Sequence, residues 1–347
     1  MKIQSEDYAY STARIRAMET RLCRRDQLER MADTRTVPEL MAQLAEMGLT
    51  DGKRDATGVP DGEAVESILE SQLRRAFSET SEMLPDPSVL NFCRYPYDCH
   101  NLKVAVKCAA RGIPTEGRMS GLGTLPPEEI LQIVKDVSAS KPRTMADGAP
   151  LLPGHMEAAV SAAVEQFAKT ANPQLVDLIL DRACFADMLD GARATGVPFA
   201  LELVRTRVDL LNLLFAVRIV RRNTPDALWL WDNACLEGGS METSSLREAV
   251  ERADAEALAH CAERASYDAF AAALSAGAPL SELERVADNT LLRAARRARE
   301  VLCGMEVPLA YLTAAEQNGK NLRIVLTGRL SGLPSGEIRE RLRECYV

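Results

Sequence analysis

The chain has 347 residues, 46% of them apolar, 27% charged and 5% aromatic, with a formal charge of −8. A chain of this length buries one or more real cores and suggests roughly two or three domains, and the composition excludes a disordered tail protein or a collagen-like repeat. The acidity is spread evenly over thirds cut at 115 and 235, so no third is basic enough to act as a nucleic-acid domain.

The best candidate for a membrane span, 203–220, carries Arg205, Arg207, Asp209 and Arg218, which is too polar for direct bilayer insertion. The first 16 residues hold no apolar signal-peptide core, so the chain is expected to begin near Met1 and stay in the cytoplasm. Nine scattered cysteines, none in C-x-x-C spacing, read as reduced thiols, with no disulfide framework and no structural zinc site.

In chain order, the elements read as helices. Ser5 is expected to cap a helix with Glu6 and Asp7 in its first turn, and Tyr8, Ile15, Met18 and Leu22 share one face. Met156, Val160, Val164 and Phe167 form the stripe of a later helix. Asn172 followed by Pro173 predicts the next helix start, with Leu175, Ile179, Ala186 and Leu189 as its buried stripe. Ser281 to Glu284 fits a capping box. Leu322, Ile324 and Leu326 alternate but continue a long helical segment, in which Gly319 sits at a cost of about 1 kcal/mol. Proline- and glycine-rich breaks at 57–62, 122–129, 148–154 and 236–240 cut the chain into short helices. The predicted fold class is all-α.

One pattern occurs three times: Asp98-Cys99-His100-Asn101-Leu102, Asp209-Leu210-Leu211-Asn212-Leu213 and Asn318-Gly319-Lys320-Asn321-Leu322, spaced by 111 and 109 residues. Val197-Pro198-Phe199 and Val307-Pro308-Leu309 keep step at 110. Ser120-Gly121-Leu122 before Pro126, Pro127, Glu129 and Ile130 is matched more loosely with Ser331-Gly332-Leu333 before Pro334, Glu337 and Ile338. The repeat predicts three related helical domains, 1–115, 116–235 and 236–347, able to surround an axis. On a helix, residues three apart share a face, so Asp98 and Asn101 reach one neighbour.

Chemistry is scarce. Cys99-His100 and His260-Cys261 are sequence neighbours, and neighbours on a helix point about 100° apart. They read as buried thiols beside surface imidazoles. Gly48-Leu49-Thr50-Asp51-Gly52-Lys53 is one residue short of phosphate-loop spacing, with Arg54 where Ser or Thr belongs. Asp98 and Asp209 are read as hydrogen-bonding residues of the repeat in preference to general bases. The basic clusters Arg293, Arg296, Arg297, Arg299 and Arg339, Arg341, Arg343 read as solvated faces, with an acidic docking partner as the sharper alternative. No catalytic, cofactor-binding or metal-binding residue is expected.

The segments 8–22, 97–112 and 311–347 resemble the C subunit of V-type and A-type rotary ATPases, whose eukaryotic equivalent is the d subunit. The resemblance implies three similar helical domains forming a funnel around a pseudo-threefold axis, without catalytic residues. It implies one copy in a hetero-oligomeric complex, peripheral on the cytoplasmic face of the membrane. The partners it implies are the membrane proteolipid ring and the D and F subunits of the central stalk, with torque passing between ATP hydrolysis or synthesis and H⁺ or Na⁺ transport. A free helical adaptor for another coiled coil is the alternative. The residues that match are Tyr8, Arg14, Arg16, Glu19, Asp98, Asn101, Lys103, Asn321, Arg323 and Tyr346, with Asp209 and Asn212 in the middle unit; most are expected to hold helices together. Leu214 departs from the pattern where the other units have Lys103 and Arg323.

Overall fold

A computed structural model describes residues 5–50, 62–140 and 152–347. Asp51 to Arg54 and most of the breaks at 57–62 and 148–154 lie outside those residues. Among the described residues there are sixteen α-helices and no strand, as the all-α reading requires. In chain order they are α1 (Ala9–Glu19), α2 (Arg25–Ala32), α3 (Val37–Glu46), α4 (Gly62–Glu82), α5 (Asn91–Arg111), α6 (Pro127–Ser138), α7 (Gly154–Thr170), α8 (Pro173–Ala194), α9 (Pro198–Arg222), α10 (Ala227–Ala234), α11 (Thr243–Glu251), α12 (Ala255–Arg264), α13 (Asp268–Ser275), α14 (Leu280–Arg296), α15 (Glu306–Leu330) and α16 (Ser335–Arg341).

The helices form two compact units: Met1–Pro87 with Glu284–Val347, and Ser88–Leu283. The boundaries expected near 115 and 235 both fall in the second unit, on the connections between α5 and α6 and between α10 and α11.

In the first unit α15 packs against α1, α2 and α4. Leu28, Met31, Leu40, Leu44, Val65 and Leu69 share one core with Leu322, Val325, Leu326, Ile338 and Leu342. Tyr8, Ile15, Met18 and Leu22 are all buried, as their spacing predicts. The start differs: Ser5–Tyr8 is a 3₁₀ turn, and α1 begins only at Ala9. Thr36 caps α3 by accepting from the Glu39 N–H at 3.3 Å, with Pro38 in the first turn. Ser281 lies inside the first turn of α14, which begins at Leu280; the Pro279 carbonyl accepts from the Glu282 and Leu283 N–H groups, so Pro279 and not the expected Ser281 stands at the cap position.

Gly319 lies within α15, and a Cβ there would meet nothing within 4 Å. Since glycine costs a helix interior about 1 kcal/mol relative to alanine, Gly319→Ala is expected to stabilise the first unit by about that amount. The check is a urea melt followed by far-UV circular dichroism. Both tryptophans, Trp229 and Trp231, lie on α10 in the second unit, so tryptophan fluorescence is expected to stay unchanged.

In the second unit α8 packs against α5, α7 and α9. Asn172 caps it by accepting from the Gln174 N–H at 3.0 Å, as Asn-Pro predicts. Its buried residues include Val176, Leu180, Ala183, Cys184, Asp187, Met188 and Leu189; of the expected stripe, Leu175, Ile179 and Ala186 are only half-buried. A helix with four helical neighbours, α10 being the fourth, is covered over a wide arc, which blurs a one-sided stripe. Gly191 is required where α8 meets α5, because a Cβ would lie 2.6 Å from Phe92 Cβ.

Candidate functional site

The three motif copies lie at the middle of three long helices. α9 and α15 have 25 residues each, and the 21 residues of α5 extend the four-residue 3₁₀ turn Pro87–Leu90. Proline near the start of each presets the helical φ. From these helices the motif side chains reach non-helical backbone. Asn101 accepts from the Ser120 N–H and donates to the Ser120 carbonyl, both at 2.8 Å. Asn212 does the same to Leu236, at 2.9 and 2.8 Å. Asn321 does it to Arg343, at 2.8 and 3.3 Å. A side-chain amide offers a donor and an acceptor on one plane, so it can replace a strand partner for a single residue.

The first residue of each copy holds the start of another helix. Asp98 accepts from the Thr124 N–H at 2.9 and 3.0 Å, from the Thr124 hydroxyl at 2.6 Å and from the Leu125 N–H at 3.2 Å; α6 begins two residues later. Asp209 accepts from Ser240 N–H at 2.9 and 3.1 Å and from Met241 N–H at 3.0 Å, again two residues ahead of a helix, α11. Tyr267 donates its hydroxyl to Asp209 at 2.9 Å. In the first unit Asn318 accepts from the Cys23 N–H at 3.0 Å, two residues ahead of α2. Each acceptor thereby satisfies donors that a helix start leaves open, and a carboxylate does so with favourable charge. Asp98 and Asp209 are buried, and burial pushes both carboxyls above the ordinary range against the pull of these bonds.

Helix ends refine the register between copies. α5 ends at Gly112 with φ 63°, and the Ile113 N–H bonds Cys108 O; α15 ends before Gly332 with φ 72°, and the Leu333 N–H bonds Gly328 O. Ser331-Gly332-Leu333-Pro334 therefore corresponds to Arg111-Gly112-Ile113-Pro114. The looser match with Ser120-Gly121-Leu122 is out of register: Ser120 fills the place of Arg343.

Lys103 pairs with Asp181 of α8 at 2.5 Å, and Arg323 grips Glu66 of α4 with two bonds at 2.8 and 2.6 Å. The corresponding Leu214 is buried, so the middle copy replaces an ion pair by packing. Of the other expected residues, Arg14 is exposed, whereas Tyr8, Glu19 and Tyr346 are buried. Arg16 bonds Glu19 at 2.8 Å and the carbonyls of Ala298, Arg299 and Val301 at 2.7, 3.2 and 3.2 Å, ending a 3₁₀ turn.

The basic clusters stay on the surface, with Arg293, Arg297, Arg299 and Arg341 exposed, and several of their members pair within the unit. Arg293 and Arg296 bond Glu344, the latter at 2.8 Å, and Arg299 lies 5.8 Å from the Tyr346 ring centroid. Arg339 pairs with Asp33, and Arg343 with Asp288 at 3.0 Å. Five residues that were not expected at the site complete the picture. Asp187 accepts from His155 and Met156 N–H at 2.9 and 2.8 Å at the start of α7. Asn289 accepts from Glu344 N–H at 2.8 Å, and Tyr267 supports Asp209. Gly123 and Gly239 sit one residue before Thr124 and Ser240, and their matched position is the one signal that the sequence offered.

Nucleophilic chemistry finds little support in these groups. Cys99 and Cys261 are buried while His100 and His260 are exposed. Burial pushes the Cys23 thiol up to about 12 and the Cys235 thiol to about 11, which keeps both protonated and unreactive near neutral pH. Among the described residues no group of three or more His, Cys, Asp or Glu could hold a metal ion, and no helix is long and apolar enough to cross a membrane. What the arrangement does is mechanical: it pins irregular backbone to long helices.

Comparison with known proteins agrees in extent with this whole-chain pattern. The chain matches the ATP synthase (C/AC39) subunit family over residues 11–341. It is 26% identical to the C subunit of the A-type ATP synthase of Methanothermobacter thermautotrophicus, over 96% of this chain and 87% of that relative. It is 24% identical to the C subunit of the V-type ATP synthase of Thermus thermophilus, over 97% and 99%. The C subunit of the V-type sodium ATPase of Enterococcus hirae matches at 22%, over 96% and 97%.

Proposed function

Because this chain belongs to the ATP synthase (C/AC39) subunit family, we propose that it is the non-catalytic coupling subunit of a V/A-type rotary ATPase. In this reading it joins the central stalk, through the D and F subunits, to the membrane proteolipid ring. It sits there as one copy, peripheral on the cytoplasmic face, and passes torque between ATP turnover and ion translocation. The observation that carries the reading is the extent of the family match, from residue 11 to 341, with relatives named as the C subunits of such complexes aligned along 96–97% of the chain.

Physical requirements of the role favour the same conclusion. Torque passes through contacts, so a coupler needs large interfaces and a body that does not yield; a specific stable interface buries about 1,200–2,000 Å². Side chains that pin loops to long helices stiffen the segments between helices, where an all-α body is softest. A division into three domains, 1–115, 116–235 and 236–347, set as a funnel around a pseudo-threefold axis, would spread that contact evenly and resist tilting. Relatives named as parts of an ATP synthase and of a sodium ATPase match at similar identity, which fits a part that leaves the choice of ion to other subunits.

The test is reconstitution of the complex in vesicles with and without this chain. Loss of ATP-driven ion pumping, with hydrolysis continuing uncoupled, is the expected result. Full pumping in its absence defeats the reading, and failure to co-purify with proteolipid would turn it toward a free adaptor.

A further inference from the structure

In the second unit the two stations of each motif hold one continuous stretch of chain. Asn101 holds Ser120 and Asp98 holds Thr124, four residues on; Asn212 holds Leu236 and Asp209 holds Ser240, again four residues on. Such a stretch cannot leave one station by more than about 14 Å while the other stays bound. In the first unit the stations are filled from two places 320 residues apart in sequence: Asn321 holds Arg343 and Asn318 holds Cys23.

The segments that follow are tied to each other as well as to α15. Arg25 donates to the Arg339 carbonyl at 3.1 Å, and Arg339 pairs with Asp33. Leu28 and Met31 of α2 share a core with Ile338 and Leu342. Releasing either segment strips apolar cover and ion-pair partners from the other. Ser335–Val347 is also anchored on α14, where Asp288, Asn289, Arg293 and Arg296 hold Arg343 and Glu344. We propose that Leu22–Asp33 and Ser335–Val347 form a two-part clasp on α15, hinged on that α14 anchor, that closes and opens as one unit, a conformational device that the two continuous stretches of the second unit lack.

Its consequence is a low-lying local opening confined to the first unit. Covalent continuity keeps a released residue beside its station, whereas distant segments regain far more freedom on release. The clasp stands apart from the coupling role and holds or fails independently of it.

Hydrogen exchange of the full-length chain, read by mass spectrometry, tests it. In the unaltered protein, peptides covering 23–32 and 335–344 are expected to exchange with one shared protection factor, lower than that of 124–138 and 240–251. Asn318→Ala removes a bond to Cys23 alone. It is nevertheless expected to speed exchange in both segments by the same factor, about tenfold, and to leave the second unit unchanged. Asn321→Ala repeats the test from the other side. Acceleration confined to 23–32 after Asn318→Ala overturns the proposal, and so does an equal loss of protection at 124–138 and 240–251.

Discussion

Asp98→Ala is expected to lower the unfolding free energy of the second unit by about 3 kcal/mol. The substitution leaves the Thr124 N–H, the Thr124 hydroxyl and the Leu125 N–H without the carboxylate they now share, and each unsatisfied donor away from water costs about 1–3 kcal/mol. Partial access of water to Thr124 and Leu125, both half-buried, keeps the sum toward the lower end. Tryptophan fluorescence during urea unfolding is the measurement, because Trp229 and Trp231 both report on the second unit. Asp98→Asn is expected to recover little. Its amide nitrogen would point at donors, whereas Asn318 in the first unit meets the single donor of Cys23. An unchanged midpoint for Asp98→Ala would mean that the carboxylate does not hold the start of α6.

The helices themselves, and the existence of a recurring Asp/Asn device, were legible because both are local. Tyr8, Ile15, Met18 and Leu22 repeat at helical spacing on one face, and Asp98 with Asn101 are three residues apart. What those side chains hold was not legible. The backbone that Asn101 grips lies 19 residues away and that of Asp98 up to 27, in segments without periodicity; Cys23 lies 295 residues from Asn318. No pattern within one helix encodes such a partner. The stripe expected on α8 is fully buried only at Leu189, for a related reason. Four neighbouring helices cover it over a wide arc, so Val176 and Leu180 are as apolar and as useful as the expected Leu175 and Ile179. The arginine clusters are on the surface as expected, with Arg293, Arg297, Arg299 and Arg341 exposed; their partners Glu344, Asp33 and Asp288 were not legible because they come from other elements.

Gly123→Ala and Gly239→Ala are expected to cost the second unit about 3 kcal/mol or more each, also by tryptophan fluorescence. An added Cβ would lie 2.1 Å from Asp98 Oδ1 at the first site and 2.1 Å from Asp209 Oδ1 at the second. Neither carboxylate can retreat without abandoning the backbone that it holds, so overpacking and lost hydrogen bonds combine. The first unit supplies the contrast. Arg21 stands two residues before Cys23, where Gly123 stands before Leu125 and Gly239 before Met241, and the partner there is Asn318 with its single bond. A side chain is therefore tolerated only where no carboxylate presses on the backbone. If that reasoning holds, the two substitutions are coupled. Gly123→Ala made on top of Asp98→Ala is expected to add less than about 1 kcal/mol, because the atom that it collides with is already gone. Full additivity of the pair would place the cost of Gly123→Ala elsewhere in its loop and refute the close approach as the reason for glycine.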